Sequence, residues 1–303
     1  MDDTAKKAVS ILLNEGIIAF VMRSCLYYMK ANPTQRKRLL TGYYIRNSIE
    51  CKNNKYLLSK KRAFKRKDPQ ERPLISVVIP TYNRAKLLTE RAIPSILNQT
   101  HSNLEAIIIG DHCTDNTEEL VRNFQDKRIR FCNLPRRSSY PKDPYKRWLV
   151  SGSAPLNKAL ELAKGKWIAP LDDDDEFSPN HLEELLSYAI QHECEMVYGV
   201  TEMETSPGVW KRIGTYPLEL GKICHMSVIF DARLKFFQYK TDCWRYLEPN
   251  DWNLWRRMEE AGVKIGFADK VVGRHYLEKT SCDTRSIQSW KVRHSRYLNS
   301  RSL

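Results

Sequence analysis

From Pro73 onward, short apolar runs alternate with stretches of helical periodicity, and this alternation limits the fold more than any other feature. The strand-like runs are Leu74–Pro80, Leu104–Ile109, Arg128–Cys132 and Lys166–Leu171. Helical patterns cover Lys86–Gln99, Thr117–Phe124 and Pro155–Ala163, and a further helix is predicted to open at Ser178-Pro179. Strands alternating with helices of this length form mostly parallel sheets covered by helices on both faces. The pattern therefore predicts an α/β domain with a central sheet.

Polar side chains follow three of the predicted strands. The first strand ends in Pro80, Thr81, Tyr82, Asn83 and Arg84, the second is followed by Asp111, and the strand at 166–171 is followed by the acidic run 172–176. In open α/β sheets, ligands bind at the carboxyl ends of the strands. We therefore expect these three segments to line one crevice.

The acidic run Asp172-Asp173-Asp174-Asp175 is the sharpest chemical feature of the chain. Neighbouring carboxylates raise one another's pKa unless a cation lies among them. Hard oxygen ligands suit magnesium or manganese, which also leave positions for substrate phosphates. The alternative interpretation is a solvated acidic turn in front of a capped helix.

Two further residues are candidates because of their positions. Asp251 begins a predicted helix and shares a face with Leu254, Trp255 and Met258. A carboxylate on an apolar face suits a general base whose pKa is tuned by burial. The alternative explanation is that the helix dipole stabilises an aspartate in the first helical turn. His275 becomes a candidate metal ligand only if the fold brings it near the aspartates.

Charge is distributed unevenly along the 303 residues, whose net charge is +14. Residues 1–72 hold 17 basic and 6 acidic residues, a net charge of +11. We predict three regions: a basic helical N-terminal extension and linker (1–72), a catalytic domain (73–280) and a basic C-terminal tail (281–303). The extension is expected either to bind an anionic membrane surface or to pack on the catalytic domain as a helical cap.

The chain shows no sign of export. Its longest apolar stretch, Ile11–Met22, is interrupted by Asn14, Glu15 and Gly16, whereas a membrane-spanning helix needs about 20 apolar residues. The eight cysteines are scattered without a C-x-x-C pair. We expect a cytoplasmic location, either free or peripheral on the cytoplasmic face of a membrane.

Four motifs in order resemble the family 2 glycosyltransferases, which have the GT-A fold, a Rossmann-like architecture. They are VVIPTYNR at 77–84, IIIGDHCTDNT at 107–117, NKALELAKGKWIAPLDDDDEF at 157–177 and DWNLWRRMEEAG at 251–262. The resemblance covers about residues 73–280. It implies a nucleotide-sugar donor, with a UDP-sugar favoured, a divalent metal (Mn or Mg), and inversion at the anomeric carbon.

The resemblance also implies roles for individual residues. Pro80, Thr81, Tyr82, Asn83, Arg84, Asp111, Asp172 and Asp173 would bind the donor, with Asp111 on the base. Asp172, Asp174 and His275 would hold the metal, and Asp172 and Asp174 match the D-x-D motif. Asp251 would be the catalytic base that deprotonates an acceptor hydroxyl.

Three positions depart from the family pattern. Gly110 stands where an aspartate is common, Asn250 where a glutamate usually precedes the base, and Leu156 where many members have arginine. Without that arginine the donor phosphates need another cationic partner, and Arg147 or its neighbours are the candidates. The base and the D-x-D motif remain, so an active enzyme is expected.

Two other functions are compatible with part of the sequence pattern. A sugar nucleotidyltransferase shares the fold type, but the chain has no Gly-rich loop with arginine near the first strand. A non-catalytic membrane- or nucleic-acid-binding module would explain the basic excess, but the acidic crevice repels polyanions and no nucleic-acid motif appears, so no nucleic acid is expected as a partner. The acceptor, whether glycan, lipid-linked or protein, is not predicted by the sequence.

Overall fold

The computed structural model of the protein describes residues 33–63, 72–246 and 248–277, with the side chains of 33–44 left out. The predicted C-terminal tail (281–303) and the apolar stretch Ile11–Met22 lie outside the described residues. The described residues form a nine-stranded sheet with helices packed on both faces, so the α/β prediction is confirmed.

The sheet has the strand order β3-β2-β1-β4-β8-β6-β9-β5, with β7 paired to β6. Its strands are β1 Ile75–Thr81, β2 Leu104–Gly110, β3 Ile129–Asn133, β4 Trp167–Pro170, β5 Glu176–Phe177, β6 Met196–Ser206, β7 Val209–Ile213, β8 Val228–Asp231 and β9 Ile265–His275. The half formed by β3, β2, β1 and β4 is parallel. Strand β8 runs antiparallel to β4 and β6, and β9 runs parallel to β6.

The helices connect these strands in the order that the sequence predicts. They are α1 Pro33–Ala63; α2, made of Ala85–Leu87, a π-turn at Leu88–Ala92 and Ile93–Leu97; α3 Thr117–Arg122; α4 Pro144–Trp148; α5 Ser153–Leu162; α6 His181–Gln191; and α7 Asn250–Ala261. Short 3₁₀ turns lie at His225–Ser227, Ala232–Phe236 and Cys243–Tyr246. The predicted helix start at Ser178-Pro179 is wrong: α6 begins at His181, whose amide donates to the Ser178 carbonyl in the preceding turn.

Alternation along the strands divides the core between the two faces of the sheet. Val78 and Ile107 face one cluster with Leu156 of α5 and Trp255 of α7. Their neighbours in the strands face a second cluster built on α2 and α6. Because both faces are covered, β1 and β2 are buried almost throughout, and only their carboxyl ends are left for polar chemistry.

The N-terminal helix α1 packs on the rest of the protein. Leu58 is only 2% exposed and belongs to the cluster that contains α5 and α7. Arg62 donates two hydrogen bonds to the Glu195 carboxylate, at 2.9 and 2.5 Å, and one to the Gly262 carbonyl. This part of the N-terminal segment is therefore a helical cap, the second of the two alternatives that the sequence leaves open.

No helix in the described part of the chain is both long enough and apolar enough to cross a bilayer.

Candidate functional site

The carboxyl ends of β1, β2 and β4 lie side by side, as the strand pattern predicts. Thr81 pairs with Gly110 at the ends of β1 and β2, and the Asp111 amide donates to the Thr81 carbonyl at 2.8 Å. Asn83 accepts a hydrogen bond from the Thr114 amide at 2.8 Å, which joins the two loops. The segments after β1 and β2 therefore form one wall of the crevice.

The acidic run after β4 is held from across this crevice by Arg84. The guanidinium donates to Asp173 at 3.0 Å and to Asp174 at 2.7 Å. Burial and the neighbouring Asp174 raise the pKa of Asp173 to about 7, against the opposing effect of Arg84. Burial, the larger of the two causes, therefore favours the protonated form of this carboxyl unless a further positive charge lies close to it.

The three predicted metal ligands are electrostatic neighbours, but each faces a protein partner. Asp174 and Asp172 interact with each other and with His275. Asp174 binds Arg84, while His275 Nδ1 lies 2.9 Å from Asp175 Oδ2, a contact that raises the pKa of His275 to about 9.

The two carboxylates suit Mg²⁺ or Mn²⁺, and the imidazole suits a manganese-class metal better than Mg²⁺, so the chemistry of this set fits a divalent cation. Within residues 33–63, 72–246 and 248–277, however, no group of three or more His, Cys, Asp or Glu side chains has a ready-made metal-binding arrangement. Arg84 supplies the positive charge beside Asp174 in this structure.

Asp251 lies at the first turn of α7 and is half-buried. Asn250 fixes this turn: its amide donates to the Ser151 carbonyl and to Ser153 Oγ, each at 2.9 Å, and its side-chain oxygen accepts from the Asp251 amide. Asn250 thus replaces the family's usual glutamate with a residue that anchors α7 to the start of α5. Burial raises the pKa of Asp251, His225 opposes that rise, and Asp172 adds to it.

His225 is a site residue that the sequence analysis missed. It lies in a 3₁₀ turn before β8, buried to 9% exposure, with Nδ1 3.1 Å from Asp172 Oδ1 and Nε2 2.9 Å from the Tyr239 hydroxyl. Burial opposes protonation, but the surrounding carboxylates, above all Asp172, raise the pKa of His225. His225 therefore connects the D-x-D turn to the neighbourhood of Asp251. A lone histidine in a stretch without periodicity gave no signal for this role.

We expect His225 to act as a positioning residue for Asp172. His225→Ala should lower turnover about 10- to 100-fold, the cost of a lost hydrogen bond to a charged group, while His225→Asn restores part of it through an amide near Nδ1. Steady-state kinetics should show the loss in kcat more than in the donor KM. The control is Tyr239→Phe, which removes only the Nε2 contact; equal losses in all three variants, with lowered melting temperatures, would indicate a purely structural role.

Asp111 is buried and fully engaged by the loop that follows β3. It accepts from the Ser138 amide at 2.9 Å, from Ser138 Oγ at 2.6 Å and from the Tyr140 hydroxyl at 2.6 Å. In the same loop the Arg137 guanidinium lies 3.2 Å from the centroid of the Tyr82 ring. The structure thus brings Asp111 and Tyr82 of the predicted donor pocket together under one loop, with Asp111 shaping it.

Two departures from the family pattern have physical explanations. A Cβ at Gly110 would lie 2.6 Å from Asn133 Oδ1, and that oxygen accepts a hydrogen bond from the Cys113 amide. An aspartate there would break this contact. Leu156, in place of arginine, is buried in the core. Arg147 donates to the carbonyls of Pro141 and Lys142, so it braces its own loop.

The sequence and the fold both have known relatives. A family model described as glycosyl transferase family 2 matches residues 76–142 and 148–250. The chain is 32% identical over 230 residues to the UDP-Glc:alpha-D-GlcNAc-diphosphoundecaprenol beta-1,3-glucosyltransferase WfgD of Escherichia coli, covering 72% of this chain and 83% of that protein. It spans about half the length of other curated relatives, such as 46% of an uncharacterized glycosyltransferase of Haemophilus influenzae at 33% identity.

Solved structures share the fold at low identity. The mannosyltransferase PcManGT of Pyrobaculum calidifontis, in complex with GDP-Man and Mn2+, aligns with a TM-score of 0.54 at 18% identity, covering 84% of this chain and 72% of that one. TarS of S. aureus (residues 1–349) aligns with a TM-score of 0.52 at 19% identity, covering 67% of this chain and 60% of that one. The likeness confirms the predicted GT-A fold.

Proposed function

The chain belongs to glycosyl transferase family 2, and from this premise we propose that it transfers a sugar from a nucleotide-sugar donor to an acceptor hydroxyl with inversion at the anomeric carbon. The observation that carries the proposal is the position of Asp251, a half-buried carboxylate whose electrostatic neighbours are Asp172 and His225. A base beside the D-x-D turn is what an inverting transfer requires.

The proposed reaction is a direct displacement at the anomeric carbon of the donor sugar. Asp251 accepts the proton of the acceptor hydroxyl, the acceptor oxygen forms a bond to the anomeric carbon, and the bond from that carbon to the donor diphosphate breaks. The nucleoside diphosphate leaves with the bonding electrons. Burial raises the pKa of Asp251 and brings it toward the working pH, where a general base is most effective.

We propose that the donor lies against the loops after β1 and β2, with Pro80, Thr81, Tyr82, Asn83, Arg84 and Asp111 in or around its pocket and Asp173 on the same turn as the D-x-D motif. Asp172, Asp174 and His275 would hold a divalent cation, Mn or Mg, which when bound stabilises the negative charge of the leaving diphosphate. The guanidinium of Arg84 is paired with Asp173 and Asp174. When the cation and the donor bind, Arg84 would have to leave Asp174 and contact the donor.

A UDP-sugar is the favoured donor class. WfgD is named as a UDP-Glc glucosyltransferase, and a second relative, 38% identical over 120 residues, is the GalNAc(5)-diNAcBac-PP-undecaprenol beta-1,3-glucosyltransferase of Campylobacter jejuni. Both names describe an acceptor sugar attached to a polyprenol through diphosphate. For this chain we therefore propose a lipid-linked glycan acceptor at the cytoplasmic face of a membrane, in glycoconjugate biosynthesis.

The test is release of nucleoside diphosphate from a panel of UDP- and GDP-sugars, with and without Mn²⁺. Release from one donor that depends on Mn²⁺ supports the proposal and identifies the sugar. Asp269→Asn, which removes an exposed carboxylate of β9, should leave release unchanged and serves as the control for substitutions of the site carboxylates. If no donor is turned over, and none raises the melting temperature in the presence of Mn²⁺, the proposal is wrong.

A further inference from the structure

The face of α1 that points away from the rest of the protein carries three large, exposed apolar side chains. Ile45, Ile49 and Tyr56 are 52%, 55% and 61% exposed. Their spacing of four and seven residues places them on one side of the helix, which we call the outer stripe. The opposite side carries Asn54 and Leu58, both buried against the domain. The stripe is therefore not the packing face of this cap.

The charge carried by α1 is mainly basic. Helix α1 contains nine Lys and Arg residues and one acid, Glu50. Glu50 points at the domain, where it pairs with Lys240 at 3.0 Å and Arg257 at 3.3 Å. The exposed lysines of the helix, which form no ion pair with any other described residue, are Lys52, Lys55, Lys60 and Lys61.

Two of these lysines border the stripe itself. Lys52 lies between Ile49 and Tyr56 on the same side of the helix by its spacing, and the Lys60 ammonium lies 5.5 Å from the centroid of the Tyr56 ring. An exposed apolar stripe interleaved with lysines is the pattern of a helix that lies flat in a lipid interface. The apolar side chains enter the acyl boundary while the ammonium groups meet anionic headgroups.

We propose that the outer stripe and its lysines are a docking face for an anionic lipid bilayer. The occupant is a membrane surface because, among the described side chains of α1, the exposed charged groups are basic and the one carboxylate, Glu50, faces the domain, so none of them pairs with a second copy of the patch. The sequence after α1 contains three more basic residues, Lys65, Arg66 and Lys67, and one acid before Pro69, Asp68.

Docking through α1 would also orient the catalytic site, an implication that rests on the proposed function. The inner side of α1 packs on α7: the Cys51 thiol donates to the Glu260 carbonyl, and Glu50 pairs with Arg257. Asp251 lies in the first turn of α7. Arg46 pairs with Asp242 at 3.1 Å, which fastens another part of α1 to the domain. A bilayer bound to α1 would thus hold α7, and with it Asp251, at a fixed distance from the membrane that carries lipid-linked acceptors.

The test compares full-length proteins in sedimentation with vesicles of phosphatidylglycerol and phosphatidylcholine, and of phosphatidylcholine alone. The test variant is Ile49→Glu with Tyr56→Glu. The matched control is Ile190→Glu with Val209→Glu, which makes the same charge change at two exposed apolar residues elsewhere on the surface. We expect the wild type and the control to bind anionic vesicles, and the test variant to bind at least about tenfold more weakly.

Three results would overturn the docking proposal. The wild type does not bind anionic vesicles, or the test variant binds as well as the control. Alternatively, light scattering shows a dimer that only the test variant dissociates, with no vesicle binding, which would assign the stripe to a subunit contact. Nucleoside diphosphate release without vesicles should be equal in all three proteins. Vesicle binding without any such release would contradict the proposed function and leave the docking face standing.

Discussion

Asp251→Asn is expected to lower nucleoside diphosphate release about 10²- to 10⁴-fold, the usual contribution of a positioned general base. The amide keeps the size of the side chain and can still accept from the Trp252 amide, as Asp251 does at 2.7 Å. The loss should therefore appear in kcat, with donor binding and the melting temperature almost unchanged. Turnover at constant Mn²⁺ is the measurement.

The same variant also has a consequence for pH dependence. Burial raises the pKa of Asp251 above the ordinary aspartate value, which is about 3.9. A base must be ionised to act, so the activity of the wild type should fall as the pH is lowered through this raised pKa. The remaining activity of Asp251→Asn should lack that acidic limb.

The control for this experiment is Glu259→Gln, the same change from carboxylate to amide at an exposed residue of α7. It should retain full activity and the acidic limb. If Asp251→Asn is as active as Glu259→Gln, a different group deprotonates the acceptor. In that case the position of Asp251 in the first helical turn would be explained by the helix dipole alone.

The sequence predicts well those features that depend on local pattern. Strands β1, β2 and β4 are buried runs of apolar residues between periodic helices, so the meeting of their carboxyl ends at one crevice follows from parallel topology. The start of α6 was misplaced because Ser178-Pro179 imitates a cap and a first turn, whereas the chain makes one more turn before His181. The helix α1 continues to Ala63, into the basic run 60–67 that marks a linker in the sequence.

The sequence pattern does not predict contacts between residues that are far apart in the chain. His225 is 53 residues from Asp172, and they meet only because β8 inserts antiparallel beside β4. Arg84 was predicted to bind the donor, and nothing in the sequence indicated that it bridges Asp173 and Asp174 from 90 residues away. Ion pairs of this kind depend on the packed fold and leave no periodic signal.

Asp174→Asn is expected to remove the metal dependence of the reaction and to lower activity at least about 100-fold, because a bound cation contributes several kcal/mol of charge stabilisation. The substitution leaves Arg84 paired with Asp173 at 3.0 Å, so the acidic turn keeps a partner and the fold should hold. Binding of Mn²⁺ alone, measured by electron paramagnetic resonance, gives a readout independent of turnover.

The matched control is again Asp269→Asn, which removes one negative charge at an exposed position and should bind Mn²⁺ like the wild type. Weakened Mn²⁺ binding in Asp174→Asn alone would assign the cation to the D-x-D turn, where it must compete with the Arg84 guanidinium for the same carboxylate. Unchanged binding would mean that Arg84 is the permanent counter-ion of Asp174. The diphosphate charge would then have to be stabilised by arginine side chains, and the predicted ligand set of Asp172, Asp174 and His275 would be wrong.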